Sequence, residues 1–294
     1  MASLKDIQRK IGSVKNTQKT TRAMKLVSSA KLNRTKELAE QSKVYAAKIT
    51  EMIQDIASNI SKHGESLDNI FFKEIKNPKT VDIIFVTADK GLCGGFNSQT
   101  IKRVNVLLEK YATEGVKVRL RAIGKKGISY FKFNNIEMLQ EISDLSASPT
   151  YERAAEFISE TVEDYIRGST DKIIIVHNGY VNMITQEVRE EQAVPVDASA
   201  LTTDAVSTSE LELEPDDDDT LLEALVKRYL EYVMYYALID SLAAEHSARM
   251  QAMESATNNA KEMVDKLSVQ YNKARQESIT TELIEIISGV ESMK

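Results

Sequence analysis

The sequence predicts an α/β protein in which a long antiparallel coiled coil of N- and C-terminal helices accompanies a central domain of strands and helices. Three observations support this fold. All four prolines and nine of the eleven glycines fall in residues 64–215. An apolar heptad seam runs through residues 225–274. Between the two ends, apolar runs of strand length alternate with helical stretches. The predicted division is an N-terminal coiled-coil helix (1–63), a central α/β domain (64–215) and a C-terminal coiled-coil helix (216–294).

Composition excludes several classes of protein. With 294 residues, 42% apolar and 28% charged, the chain has enough apolar content for a buried core. The single cysteine, Cys93, excludes an internal disulfide framework and fits a reducing compartment. No run reaches about 18 apolar residues, so no membrane-spanning helix is expected. Residues 1–10 lack the apolar core of a signal peptide.

The N-terminal helix is predicted over residues 3–60, and Ser3 with Asp6 forms a candidate capping box. Its apolar positions follow helical spacing but are interrupted. The seam begins at Leu4, Ile7, Ile11 and Val14, becomes polar at Thr17, Gln18 and Thr21, resumes at Met24 and Val27, and is followed by Tyr45, Ile49, Met52, Ile56 and Ile60. Such a helix needs a partner to cover its apolar stripe, and the other end of the chain is the economical choice.

The middle alternates strands with helices, which favours a mostly parallel sheet with flanking helices, as in a Rossmann-like domain. Strands are predicted at 81–88, 116–123 and 172–177, and a hairpin or extended pair at 181–195. Helices are predicted at 98–111, 125–133 and 151–167.

One loop of the middle domain, Asp89–Asn97, lies between a strand and a helix, where phosphate-binding loops occur. Its Gly91-Leu-Cys-Gly-Gly95 run matches neither the G-x-G-x-x-G nor the G-x-x-x-x-G-K-[ST] pattern. We therefore expect the glycines to permit a tight turn and close strand–helix packing. An enzyme that uses this loop, or Cys93 beside Lys90, is the alternative that nucleotide titration would test.

The C-terminal helix carries the most regular pattern in the chain. Pro215 and the run Asp216–Asp219 mark its start, because acidic side chains complement the dipole of a helix N-terminus. The seam alternates steps of four and three residues through Leu225, Tyr229, Tyr232, Tyr236, Ile239, Ala243, His246, Met250, Met253, Thr257, Ala260, Val264, Leu267, Tyr271 and Ala274. It then shifts to Ile279, Leu283, Ile286 and Val290, so the last turns are expected to face a different neighbour. This helix is expected to outrun the N-terminal one.

Charge is distributed unevenly along the chain. Residues 1–36 carry a net charge of +9 and residues 216–294 a net charge of −7, whereas the whole chain is −6. The two ends therefore attract each other, or the basic end meets an acidic partner. No aromatic residues interleave with the basic run, so nucleic-acid binding is not expected. His63, His177 and His246 are isolated in the sequence and are interpreted as structural; no catalytic, cofactor or metal site is predicted.

Three segments together resemble one family, the γ subunits of bacterial F-type ATP synthase. The segment from Ile11 to Lys31 resembles the family's first helix, Asp89–Asn97 resembles its GLCGG loop, and Tyr271–Gly289 resembles its C-terminal signature. The signature residues are Ile279, Thr280, Glu282, Glu285 and Gly289. Val290 stands where the family usually has Ala, and Thr20 where it usually has Ile.

The resemblance implies a non-catalytic central rotor stalk. It would couple proton flow through a membrane c-ring to ATP synthesis or hydrolysis on β subunits. Its partners would be the α and β subunits of the catalytic head, the ε subunit and the c-ring, with no cofactor, nucleic acid or small-molecule substrate. The expected place is peripheral, at the cytoplasmic face of the bacterial plasma membrane. A stand-alone coiled-coil tether is the alternative.

Particular contacts follow from the resemblance by matching position. Arg249, Arg275, Gln276 and Thr280 of the C-terminal helix, with Met24 and Lys25 of the N-terminal helix, would engage loops of β. Leu211, Glu212 and Glu214 would form the foot that meets the c-ring and ε.

Overall fold

The computed structural model describes residues 4–62, 70–73, 75, 77–196 and 218–293. Ser3 of the candidate capping box and His63 lie outside this part. Two compact units are present: Met1–Ser29 with Arg249–Lys294, here called the helix-pair unit, and Ala30–Ala248, the sheet unit. The predicted boundaries near 63 and 215 both fall beside or among residues outside the described part, so the three-part division stays a prediction.

Five helices and five strands account for the regular structure of the described residues. In chain order they are α1 (Leu4–Lys62), β1 (Thr80–Val86), α2 (Phe96–Thr113), β2 (Lys117–Ile123), α3 (Lys125–Phe133), β3 (Gln140–Ile142), α4 (Tyr151–Ile166), β4 (Lys172–Tyr180), β5 (Gln186–Val194) and α5 (Asp218–Glu291). The helix α5 starts within the predicted aspartate run. It continues through Gly289 and ends at Glu291.

The strands of the sheet unit form one sheet in the order β3-β2-β1-β4-β5. The first four strands in this order are parallel, and β5 pairs antiparallel with β4, so the expected mostly parallel sheet is confirmed. The pair predicted at 181–195 is the return strand of a hairpin with β4.

The sheet is covered on both faces, because alternate residues of its buried strands point to opposite sides. On one face, Ile83 and Phe85 pack with Leu107 of α2 and Phe131 of α3. On the other face, residues such as Ile84 and Val86 pack with α4 and with the part of α5 near Leu230 and Met234. The result is a three-layer α/β unit, with helices on both faces of the sheet.

A buried ionic network lies within the sheet. Asp82 of β1 accepts hydrogen bonds from Arg119 Nε at 2.6 Å and from Arg121 Nε at 3.1 Å. The fully buried Arg121 also donates to Gln140 at 3.0 Å and to Asp164 of α4 at 2.5 Å. Each charge is thus hydrogen-bonded to an opposite charge, which is the condition for keeping a guanidinium inside a protein.

Candidate functional surfaces of the helices

Within the helix-pair unit, α1 and α5 run antiparallel. Thr21 Oγ1 lies 2.7 Å from Thr257 Oγ1, and Lys25 Nζ donates to Glu254 Oε1 at 2.6 Å. From the first contact to the second, the residue number rises in α1 and falls in α5, so the two helices run in opposite directions. The predicted antiparallel coiled coil is confirmed in this unit.

The seam of α1 follows the heptad through its polar section. The least exposed positions from residue 4 onward continue in steps of three and four through Gln18 and Thr21 to Ser28, which is 3% exposed. Val27, predicted to lie in the seam, is 56% exposed, so that prediction is wrong. Helical geometry places residue 28 on the seam, and the apolar residue beside it faces outward.

The middle of the seam is polar. The hydroxyls of Thr21 and Thr257 hydrogen-bond across it, and Thr257 also bonds to the carbonyl of Met253 at 2.7 Å. Polar residues at seam positions lower the stability of a helix pair and favour the register in which they face each other. The Thr21–Thr257 contact therefore marks the register of α1 against α5, while each hydroxyl also bonds to a carbonyl of its own helix.

The α1 surface beside the seam is strongly basic. Between Asp6 and Glu37 the chain has no carboxylate. A groove of the helix-pair unit is lined by Gln18, Lys19, Arg22, Lys25, Leu26, Glu254, Thr257, Asn258 and Lys261. Glu254 is the one carboxylate in this lining, and it is bound by Lys25. Such a surface attracts anionic groups.

Gly12 has no packing role in this unit. A Cβ added at Gly12 meets no atom within 4 Å, so the close helix–helix approach that would explain the glycine is absent. We expect Gly12→Ala to raise the free energy of unfolding by about 0.5–1 kcal/mol, because alanine loses less conformational freedom in a helix.

Urea unfolding followed by circular dichroism at 222 nm measures this gain. Gly289→Ala is the matched control, because it also lies in open space but beyond the paired region. A lower midpoint for Gly12→Ala than for the natural chain would contradict the prediction.

Three of the predicted β-contact residues lie at one level of the helix-pair unit. Lys25 is half-buried and bonded to Glu254, and Met24 beside it is also half-buried. Arg249 is 8% exposed. The remaining three residues lie about 40 Å further along α5 at about 1.5 Å per residue.

This second group lies beyond the paired region. Arg275, Gln276 and Thr280 are all exposed, and the Thr280 hydroxyl bonds back to the Gln276 carbonyl at 2.9 Å. Every residue from 275 to 293 is exposed, because α1 begins at residue 4 and the antiparallel register brings that end opposite residues near 274. The shifted apolar stripe is left uncovered by the described residues: Ile279 is 46%, Leu283 54%, Ile286 64% and Val290 58% exposed.

The predicted foot residues Leu211, Glu212 and Glu214 lie outside the described residues. Their role stays a prediction.

In the sheet unit, α5 occupies the place where Rossmann-like sheets bind nucleotides. The strand order reverses between β1 and β4, and ligands of such sheets bind outside the carboxyl ends of the strands at that point. Here that place holds a buried cluster formed by Ala88, Cys93, Phe96, Ala244 and Ala248. The GLCGG loop therefore packs against the chain's own helix, and Gly94 supplies the tight turn with a φ of 58°.

A polar clamp, defined here as Asp240 and Ser247 of α5 with their partners on β4, β5 and the turn between these strands, joins the helix to the sheet. Asp240 Oδ2 accepts from Arg189 Nη1 at 2.7 Å and lies 3.2 Å from His177 Nε2, while Oδ1 accepts from the Tyr180 amide at 3.0 Å. Burial would lower the pKa of Arg189, but Asp240 and Glu187 outweigh it and raise the pKa. His177 is thus not isolated.

Sequence reasoning missed this clamp, because its members are 51 to 65 residues apart in the chain. The sequence feature that could have indicated the clamp is the spacing of Asp240 and Ser247, seven residues apart in a largely apolar stretch of a predicted helix. That spacing places both side chains on one face.

Two further features are absent from the described residues. No group of three or more His, Cys, Asp or Glu residues there has the arrangement of a metal site. None of the helices in that part of the chain is long and apolar enough to cross a membrane.

The two units define a class of protein that combines an antiparallel helix pair with a Rossmann-like sheet. The family model described as ATP synthase matches residues 3–293. ATP synthase gamma chains of Sulfurovum sp. and Nitratiruptor sp. are 70% and 60% identical to the chain, over its whole length and theirs. The chain belongs to the family of ATP synthase gamma chains, which confirms the resemblance of its three motifs. It is accordingly a subunit of the membrane-associated ATP synthase complex.

Solved structures show the same fold. A chain from the Tetrahymena thermophila mitochondrial ATP synthase central stalk and c-ring has a TM-score of 0.62 at 22% identity and covers 81% of this chain and 99% of its own length. A chain from Euglena gracilis mitochondrial ATP synthase has a TM-score of 0.56 at 18% identity, with 92% and 95% covered.

Proposed function

We propose that this chain is the central rotor stalk of an F-type ATP synthase. It couples proton flow through a membrane c-ring to ATP synthesis and hydrolysis on β subunits, and performs no catalysis itself. The observation that supports this role most directly is the exposed end of α5. A helix that continues from residue 275 to 291 with its apolar stripe uncovered needs a partner surface from other chains.

The helix-pair unit has the properties that a turning shaft requires. Its paired helices contain no proline, so proline kinks are absent, and Thr21 and Lys25 of α1 bond across the pair to Thr257 and Glu254 of α5. Its surface differs from side to side, with a basic α1 face and a single projecting helix. Three identical β subunits around it would therefore meet three different surfaces.

The β contacts are proposed at two levels of the shaft. Met24, Lys25 and Arg249 form the lower level, and Arg275, Gln276 and Thr280 the upper level. The long, flexible side chains of Lys25 and Arg275 suit acidic or polar loops. Leu211, Glu212 and Glu214 are proposed to meet the c-ring and ε at the cytoplasmic face of the bacterial plasma membrane.

The upper contacts are tested in a complex reconstituted with α, β and ε subunits and membrane sector. We expect Arg275→Ala with Gln276→Ala to lower ATP-driven proton pumping about tenfold, because a hydrogen bond to a charged group contributes about 1.5–3 kcal/mol. Removal of residues 275–294 weakens torque or assembly and leaves the sheet unit folded, as judged by circular dichroism.

The matched control is Asn272→Ala with Lys273→Ala, two exposed residues just before the upper level. Unchanged pumping in the Arg275 and Gln276 variant would refute the upper contacts. A chain that purifies without nucleotide-binding subunits would instead support the stand-alone tether.

A further inference from the structure

We infer that the polar clamp holds α5 against rotation and sliding on the sheet, so that torque passes between the sheet and this helix through Asp240 and Ser247. This inference rests on the proposed rotor function. It assigns a positioning role to residues that neither the motifs nor the charge pattern singled out.

The first observation is that α5 is enclosed around its whole circumference where the clamp acts. All residues from 237 to 248 are buried. An amphipathic helix buries one stripe and exposes the rest, whereas twelve consecutive buried residues make more than three turns with no exposed face. This part of α5 is therefore surrounded on all sides by other parts of the protein.

The second observation is that the enclosed stretch combines large apolar side chains, such as Leu238 and Leu242, with small ones. Several of the enclosed side chains are small, including Ala243, Ala244 and Ala248. Apolar contact is non-directional, and alanine side chains form only shallow ridges between which neighbouring side chains can pack. Directional bonds therefore define the angle of the helix more sharply than its apolar contacts do.

Asp240 supplies such bonds to both strands of the hairpin. Asp240 is 4% exposed, and its carboxylate is held by the Tyr180 amide, by His177 and by Arg189. Rotation of α5 would leave a buried carboxylate without its hydrogen bonds, a strongly unfavourable state.

Ser247 supplies a second attachment two turns further along α5. Its hydroxyl donates to the Met183 carbonyl at 3.0 Å and accepts from Gln186 Nε2 at 3.0 Å. Seven residues separate it from Asp240, about 10 Å along the helix. Two attachments on one face, spaced along the axis, oppose both rotation and axial sliding.

The test measures the torsional stiffness of the assembled rotor. In a Cys93→Ser chain, a bead is attached through Ser98→Cys on α2, and its angular fluctuation is recorded while the catalytic head is fixed and the enzyme is stalled. We expect Asp240→Ala to raise the population of α5 that is rotated or shifted from its position on the sheet. The expected increase is about tenfold for each charged hydrogen bond lost. The bead fluctuates more widely, and protons pumped per ATP hydrolysed decrease.

Graded and matched variants separate this role from simple destabilisation. Asp240→Asn keeps an acceptor for the Tyr180 amide, so it should fall between the natural chain and Asp240→Ala, and it serves if the alanine variant does not fold. Asp164→Asn makes the same change in a half-buried carboxylate bound to Arg119 and Arg121. It should lower thermal stability and leave stiffness and pumping unchanged.

Two outcomes are decisive against the inference. If an assembled complex with either folded Asp240 variant keeps the torsional stiffness and the pumping ratio of the natural chain, the inference is overturned while the proposed function stands. If Asp164→Asn lowers the stiffness as much as the Asp240 variants do, the clamp contributes only to the stability of the fold and the inference is overturned as well. Failure of the natural chain to assemble with nucleotide-binding subunits would overturn the proposed function and this inference together.

Discussion

Replacing Asp82 with alanine is expected to lower the free energy of unfolding of the sheet unit by about 3–5 kcal/mol, because the guanidinium groups of Arg119 and the buried Arg121 lose a shared carboxylate and are left with Asp164. Asp82 is fully buried and receives hydrogen bonds from both Arg119 and Arg121. Arg121 has no exposed surface, so water cannot replace the lost carboxylate. The loss would be a large fraction of the stability of an ordinary domain.

Urea unfolding of the full chain, followed by circular dichroism, measures this loss. Asp144→Ala is the control, because Asp144 pairs with Lys125 at 2.9 Å in an exposed ion pair that is expected to matter little. A midpoint for Asp82→Ala equal to that of Asp144→Ala would show that the buried network does not stabilise the sheet.

The second large effect is expected for Gly124→Ala. Gly124 has a φ of 100°, in a region that residues with a side chain rarely adopt, and it joins β2 to α3. An added Cβ would lie 1.9 Å from the Thr87 carbonyl oxygen, which is backbone and cannot rotate away. Backbone strain and overpacking together predict a loss of about 2–6 kcal/mol.

Gly115→Ala separates the two causes. Gly115 also has a positive φ, of 70°, but an added Cβ there meets no atom within 4 Å, so only strain of about 1–2 kcal/mol remains. Thermal unfolding of the two variants compares them directly. Equal losses would show that the contact with Thr87 is relieved by movement of the chain.

The sequence predicts the elements of the sheet unit better than their arrangement. Helix α3 is found at the predicted residues, and β1, β2 and β4 lie within a few residues of the predicted strands. The three-residue strand β3 was missed, because so short a segment carries no alternation to detect. The strand order β3-β2-β1-β4-β5 depends on contacts between distant segments, which periodicity does not encode.

For the surfaces of the helix pair, helical spacing predicts which residues lie in the seam better than hydrophobicity does. It predicts the end of the seam at Ala274, after which every described residue is exposed. Hydrophobicity alone selects Val27, where the structure places Ser28 in the seam. The clamp at Asp240 required the tertiary structure, because its partners come from another part of the chain. The six proposed β contacts and the three foot residues stay predictions.

The enclosed stretch of α5 has a consequence for biosynthesis. The sheet strands are complete at Val194, but Ala244 and Ala248 of α5, which pack against Cys93 and Phe96, are made later. A ribosome adds residues in order from the N-terminus, so the carboxyl edge of the sheet stays open while the nascent chain continues through α5. The sheet unit therefore reaches its final packing only late in translation, and until then the apolar side chains at this edge are not covered by α5.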